Sequence, residues 1–132
     1  LGQAAAAYRA VTELPGTDVT TRSQAGLGLA RVLEEQAELA GETEEREELL
    51  QQSFVQCMDI VFGRNLRPAS EKMDPFWVKE AGLMAGHLAG RLGLAEQERS
   101  VYSRLAKELP DMPLWQAKLD ALKAVPDATK SP

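Results

Sequence analysis

The stretch AGLMAGHLAGRLGLAEQERSVYSRLAKELP, residues 81–110, decides the fold. Ala85-Gly86 lies inside a run of helical periodicity, Tyr102 follows Gly86 by 16 residues, and Pro110 comes eight residues later. Gly93, within Leu92-Gly93-Leu94, divides the two halves. An earlier segment echoes the first half. Ala25-Gly26 is followed by Arg31 as Ala85-Gly86 is by Arg91, and Tyr8 precedes Gly26 by 18 residues. Small residues let two helix backbones approach closely, and an aromatic ring fills the wedge between adjacent pairs. The offsets therefore predict stacked antiparallel helix pairs, each burying its apolar face only against its neighbours.

Working outward, the sequence predicts about six helices and no strand, since no segment alternates in the β-branched manner. The first covers residues 2–14, with Ala4, Ala7, Tyr8 and Val11 on one side, and ends at Leu14-Pro15-Gly16. Asp18, Thr20 or Thr21 caps the second, which carries Ala25, Leu29, Val32 or Leu33, and Ala37 inward and finishes at Ala40-Gly41. Thr43 opens the third, whose apolar face is Leu49, Leu50, Phe54, Cys57, Met58 and Val61, and Gly63 closes it. Residues 63–73 (GRNLRPASEKM) form one long aperiodic connection, either a functional or mobile segment or a surface insert without a role. Asp74-Pro75 is a strong helix start, because Asp accepts backbone N–H bonds and Pro fits the first helical position. A fifth helix is expected over residues 95–109 and a sixth over 113–124. The tail 125–132 is polar and proline-containing and is expected to be disordered.

Composition bounds the function. At 132 residues the chain is long enough for one buried core, read here as a single domain over residues 1–124. It is 44% hydrophobic, 27% charged and only 5% aromatic, a balance that suits close helix–helix packing in a globular protein. The net charge of −5 argues against a broad nucleic-acid footprint. Cys57 is the only cysteine, so neither an internal disulfide nor a cysteine metal cluster is expected, and its apolar neighbours make it a buried small hydrophobe. No apolar run approaches the length of a membrane span, and the start at Leu1 reads as a piece of a longer protein.

The Gly86, Tyr102 and Pro110 spacings, with Gly93 between the helices, closely resemble the tetratricopeptide repeat family. Ala4, Tyr8 and Pro15 look like the second helix of a preceding repeat, with its proline one residue early. The resemblance implies an all-α, right-handed α-solenoid of antiparallel hairpins. Gly26 to Phe54 spans 28 residues instead of 16, and Phe54 to Gly86 spans 32 instead of 18, so two enlargements of roughly a dozen residues are expected. Glu98 stands where the family usually has alanine. The segment from Asp74 to Gly82 (DPFWVKEAG) also resembles tetratricopeptide proteins of the bacterial cell envelope, which leans the location toward the periplasm while leaving the cytoplasm open. Kinesin-light-chain-like proteins are another branch of the family.

The resemblance further implies a non-enzymatic protein-interaction scaffold. A peptide or partner helix would dock on a concave surface lined by Thr20, Ser23, Leu27, Ala30 and Arg31 with Glu80, Leu83, His87 and Arg91. The alternative is a structural or self-assembling segment of a larger protein, so a homo-oligomer stays open. Arg31 and Arg91 are equivalent positions suited to hold a carboxylate, or else they form intramolecular ion pairs, for instance with Glu34 or Glu35. The family's full set of carboxylate-clamp Lys and Asn residues is missing. His87 is the only histidine, and nothing nearby supplies the nucleophile and orienting carboxylate that a catalytic base needs. With no phosphate-cradling glycine loop or metal-ligand spacing, no cofactor and no catalytic residue are expected. The acidic run Glu42–Glu48 reads as a solvated helix start or a face for a basic partner. Arg64, Arg67 and Lys72 make the long connection locally positive, toward membrane headgroups or an acidic partner. Phe76 and Trp77 are adjacent and cannot share one core, so either one rests on the neighbouring hairpin and the other on the long connection, or one is exposed as a binding anchor; Trp115 would cap the stack or face a neighbour.

Overall fold

The computed structural model describes residues 1–68 and 70–124, and among them it has six helices and no strand. These are α1 (Gly2–Glu13), α2 (Val19–Leu39), α3 (Glu44–Val61), α4 (Pro75–Leu92), α5 (Ala95–Glu108) and α6 (Leu114–Ala124). The expected boundaries agree with these ranges to within a residue or two because local chemistry sets them. Asp18 accepts the N–H of Thr21 at 2.7 Å, Thr43 Oγ1 accepts that of Arg46 at 3.2 Å, and Asp74 accepts that of Phe76 at 3.0 Å. Gly41, Gly63 and Gly93 take φ near +70°, the left-handed conformation in which a Cβ would be strained. The expectation of disorder over 125–132 lies outside the described residues.

Each helix packs on the next one in sequence, α2 also touches α4, and α3 touches α5. One core runs through the molecule, with Leu27, Ala30, Leu50, Phe54, Cys57, Ile60, Val78, Leu88, Val101, Leu105 and Trp115 among its buried members. A smaller cluster of Ala5, Leu29, Val32 and Leu33 joins α1 to α2.

Glycine sockets receive large side chains from the neighbouring helix. A Cβ on Gly86 would overlap the Tyr102 ring, and one on Gly82 would overlap Leu105, so α4 and α5 approach as the Gly86–Tyr102 spacing implies. The first echo is displaced by two residues. Tyr8 covers Gly28, where a Cβ would lie 2.5 Å from its ring, whereas Gly26 faces Ile60 at 3.4 Å. The α2–α3 crossing is closed by a buried hydrogen bond from Ser53 Oγ to the Ala30 carbonyl, 2.6 Å.

These sockets give a paired prediction. Gly86→Ala forces the buried Tyr102 ring to shift and is expected to lose about 1–3 kcal/mol. Gly90→Ala is expected to be neutral or to gain up to about 1 kcal/mol, because alanine is the better helix former. A Cβ at Gly90 meets only the Glu98 carboxylate at an ordinary 3.7 Å. Urea midpoints of the two variants check the contrast.

The long connection is folded onto the start of the chain. Arg22, buried in the first turn of α2, donates to the carbonyls of Thr17 and Asn65 and pairs with Glu71. Arg67 donates to the carbonyls of Leu14 (2.7 Å) and Thr12 (2.6 Å), and Asn65 donates to Ser23 Oγ at 2.9 Å. The segment between α3 and α4 is thereby pinned to the α1–α2 turn.

Candidate functional site

α4 carries Gly86 and Gly90 one turn apart; the Tyr102 ring covers Gly86, and exposed Gly90 leaves helix backbone bare on the floor of an open groove of about 470 Å³. Leu83, His87 and Arg91 of α4 line it, with Glu98 and Tyr102 of α5 and Lys118 of α6. The Tyr102 hydroxyl donates to Glu98 Oε2 at 3.2 Å, and the Lys118 ammonium stands 5.5 Å above the Tyr102 ring. The walls are thus mixed in charge, with an apolar edge at Leu83.

The expected docking residues are only partly brought together. Leu83, His87 and Arg91 share this groove. Ser23, Leu27 and Ala30 are buried, so no partner reaches their side chains, a correction to the expected surface. Ser23 is covered by Asn65 of the folded connection, while Leu27 and Ala30 belong to the core. Thr20 is exposed and donates to Asp74 Oδ2 at 2.7 Å, tying the start of α2 to that of α4. Glu80 lies 3.6 Å from Lys79. Arg31 is exposed and makes no ion pair among the described residues.

The two arginines differ in their surroundings despite their equivalent spacing. Arg91 reaches across to α2, where it pairs with Glu38 and lies 3.4 Å from Glu34. His87 Nε2 stands 3.9 Å from the same Glu34 carboxylate, and the ring is largely exposed. Glu34 therefore belongs to the rim of this face although it was not among the expected docking residues. The sequence offered Glu34 as an ion-pair partner for the arginines, and for Arg91 it is one.

Phe76 is 52% exposed, its ring edge-on to half-buried Trp77 at 4.8 Å and with the Lys79 ammonium 5.0 Å away. The acidic start of α3 places Glu44, Glu45 and Glu47 in the first turn, where negative charge complements the helix dipole. A second open groove, of about 370 Å³, lies between α1 and α3 and is rich in amides from Gln51, Gln52 and Gln56.

Two groups in the interior titrate far from their ordinary ranges. Burial pushes the Cys57 thiol from 9.0 up to about 12, with the Glu34 charge adding to it. Burial, reinforced by the charge and hydrogen bond of Glu98, pushes the Tyr102 phenol from 10.0 up to about 12. Between about pH 9 and 12 the folded chain therefore holds protons that the unfolded chain releases, and stability falls as pH rises. Urea midpoints are expected to start falling near pH 9 and to fall more steeply above pH 10, with Cys57→Ala removing the earlier onset.

Among the described residues, no group of three His, Cys, Asp or Glu side chains is placed to hold a metal ion, and no helix is long and apolar enough to cross a membrane. Compared with known protein families, curated proteins and solved structures, the chain shows no match.

Proposed function

We propose that this chain is a tetratricopeptide-like right-handed stack and serves as a non-enzymatic protein-interaction module that docks a peptide or partner helix in the α4–α5–α6 groove. The observation that carries the reading is the groove floor. Gly90 exposes backbone on one helix face, beside the Tyr102 ring socketed on Gly86 and in a groove that Lys118 of α6 also lines. Gly86 is needed for packing, whereas Gly90 has room for a side chain, so its bareness is spent on the groove.

The test is selection of binding peptides from a displayed library, followed by affinity measurements on Gly90→Leu. The leucine side chain would occupy the groove without entering the core. Peptides selected on the wild type are expected to bind this variant at least about tenfold more weakly, the equivalent of about 1.4 kcal/mol. Equal affinity would place docking elsewhere.

A second reading, self-assembly within a larger protein, draws on α1 and the turn after it. Leu1, Tyr8 and Leu14 are 45%, 38% and 54% exposed at that end of the stack. Sedimentation over a range of concentrations separates the two, since end-to-end assembly gives a mass that rises with concentration.

A further inference from the structure

A crevice of about 290 Å³ lies where the end of α1, the start of α2, the end of α3 and the following connection meet. It shares no residue with the α4–α5–α6 groove. We propose that it binds a phosphate group. In a chain of net charge −5, its lining brings together Arg22, Arg64 and Arg67 against one carboxylate, Asp59.

The arginines are held in place, Arg22 and Arg64 each with one carboxylate and Arg67 by carbonyls. Among the described residues the Arg67 guanidinium is anchored by two backbone carbonyls, Thr12 and Leu14, and by no carboxylate. Arg22 is 3% exposed and is anchored by the carbonyls of Thr17 and Asn65 as well as by Glu71. Arg64 pairs with Asp59 at 3.2 Å and lies 5.6 Å from the Phe62 ring centroid; both charged side chains are more than one-third exposed, so the ion pair is weak and its guanidinium can be taken over by a ligand.

A guanidinium has five N–H donors. Among the described residues the three arginines, all of which line the crevice, spend six of fifteen on protein acceptors. The amides of Asn65 and Gln56 add neutral donors to the same lining. A carboxylate is planar and satisfies a single fork. Guanidinium groups from three backbone positions suit an anion whose acceptor oxygens point several ways, as those of a phosphate group do.

The test is calorimetric titration at constant ionic strength with inorganic phosphate, O-phosphoserine and acetate. It uses the wild type, Arg64→Ala and Asp59→Asn, both substitutions being at partly exposed positions outside the core. Saturable binding of one phosphate group per chain is expected, about tenfold weaker in Arg64→Ala. Binding should be tighter in Asp59→Asn, and acetate should bind at least about tenfold more weakly than phosphate. O-phosphoserine binding more tightly than inorganic phosphate would assign the source as a phosphorylated side chain, and the reverse order would assign free phosphate. Either order supports a phosphate-group site. No saturable phosphate binding, an affinity unchanged by Arg64→Ala, or acetate binding as well as phosphate would overturn it.

Discussion

Replacing Arg22 with alanine is expected to cost about 3–5 kcal/mol, the scale for removing one partner of a buried ion pair. That is a large share of the roughly 5–15 kcal/mol that holds a domain of this kind together. The side chain is nearly inaccessible, and three separate segments depend on it. The Thr17 carbonyl belongs to the α1–α2 turn, while the Asn65 carbonyl and the Glu71 carboxylate belong to the connection before α4. Truncation takes one donor from each of the three acceptors and leaves the Glu71 charge held by the Arg67 backbone N–H. Arg22→Lys is expected to lose less, because it keeps the charge but not the fork. A urea denaturation series measures both; a loss below about 1 kcal/mol for Arg22→Ala would mean that water replaces the clamp.

Trp115→Ala is expected to be comparably damaging, at about 3–5 kcal/mol for emptying a buried tryptophan site. Its side chain is fully buried, and among the described residues it is the one residue of α6 in the fully buried main core. Its Nε1 donor finds no hydrogen-bond partner among the described residues. Trp115→Phe loses no hydrogen bond and relieves a buried unpaired N–H, so most of the loss should be recovered. Thermal melts of the two variants test this, and equal loss in both would show that the indole N–H has an acceptor after all.

The helices were legible because their ends are written locally. Asp18, Thr43 and Asp74 cap within three residues of themselves, and Gly41, Gly63 and Gly93 stop helices by their own backbone freedom. The Gly86–Tyr102 contact was legible as well, since a short turn leaves little room for a register shift between α4 and α5. Tyr8 shows the limit of counting. Gly26 and Gly28 are both small, and the turn at Pro15-Gly16 decides which of them the ring covers. The folded connection left no local trace, because its anchors join residues 42 to 55 positions apart. For the same reason Ser23 was placed on a surface that Asn65 covers. Of the residues expected on one face, Leu83, His87 and Arg91 do line one groove, whereas Leu27 and Ala30 turn into the core.

The most direct measurement of the docking claim is an amide chemical-shift titration of the folded chain with a peptide selected on it. Shifts are expected to cluster at Gly86, His87, Gly90 and Lys118, with the amide of Arg9 on α1 unmoved. Shifts centred on α1, or on the amide-rich groove between α1 and α3, with the α4 glycines silent, would contradict it.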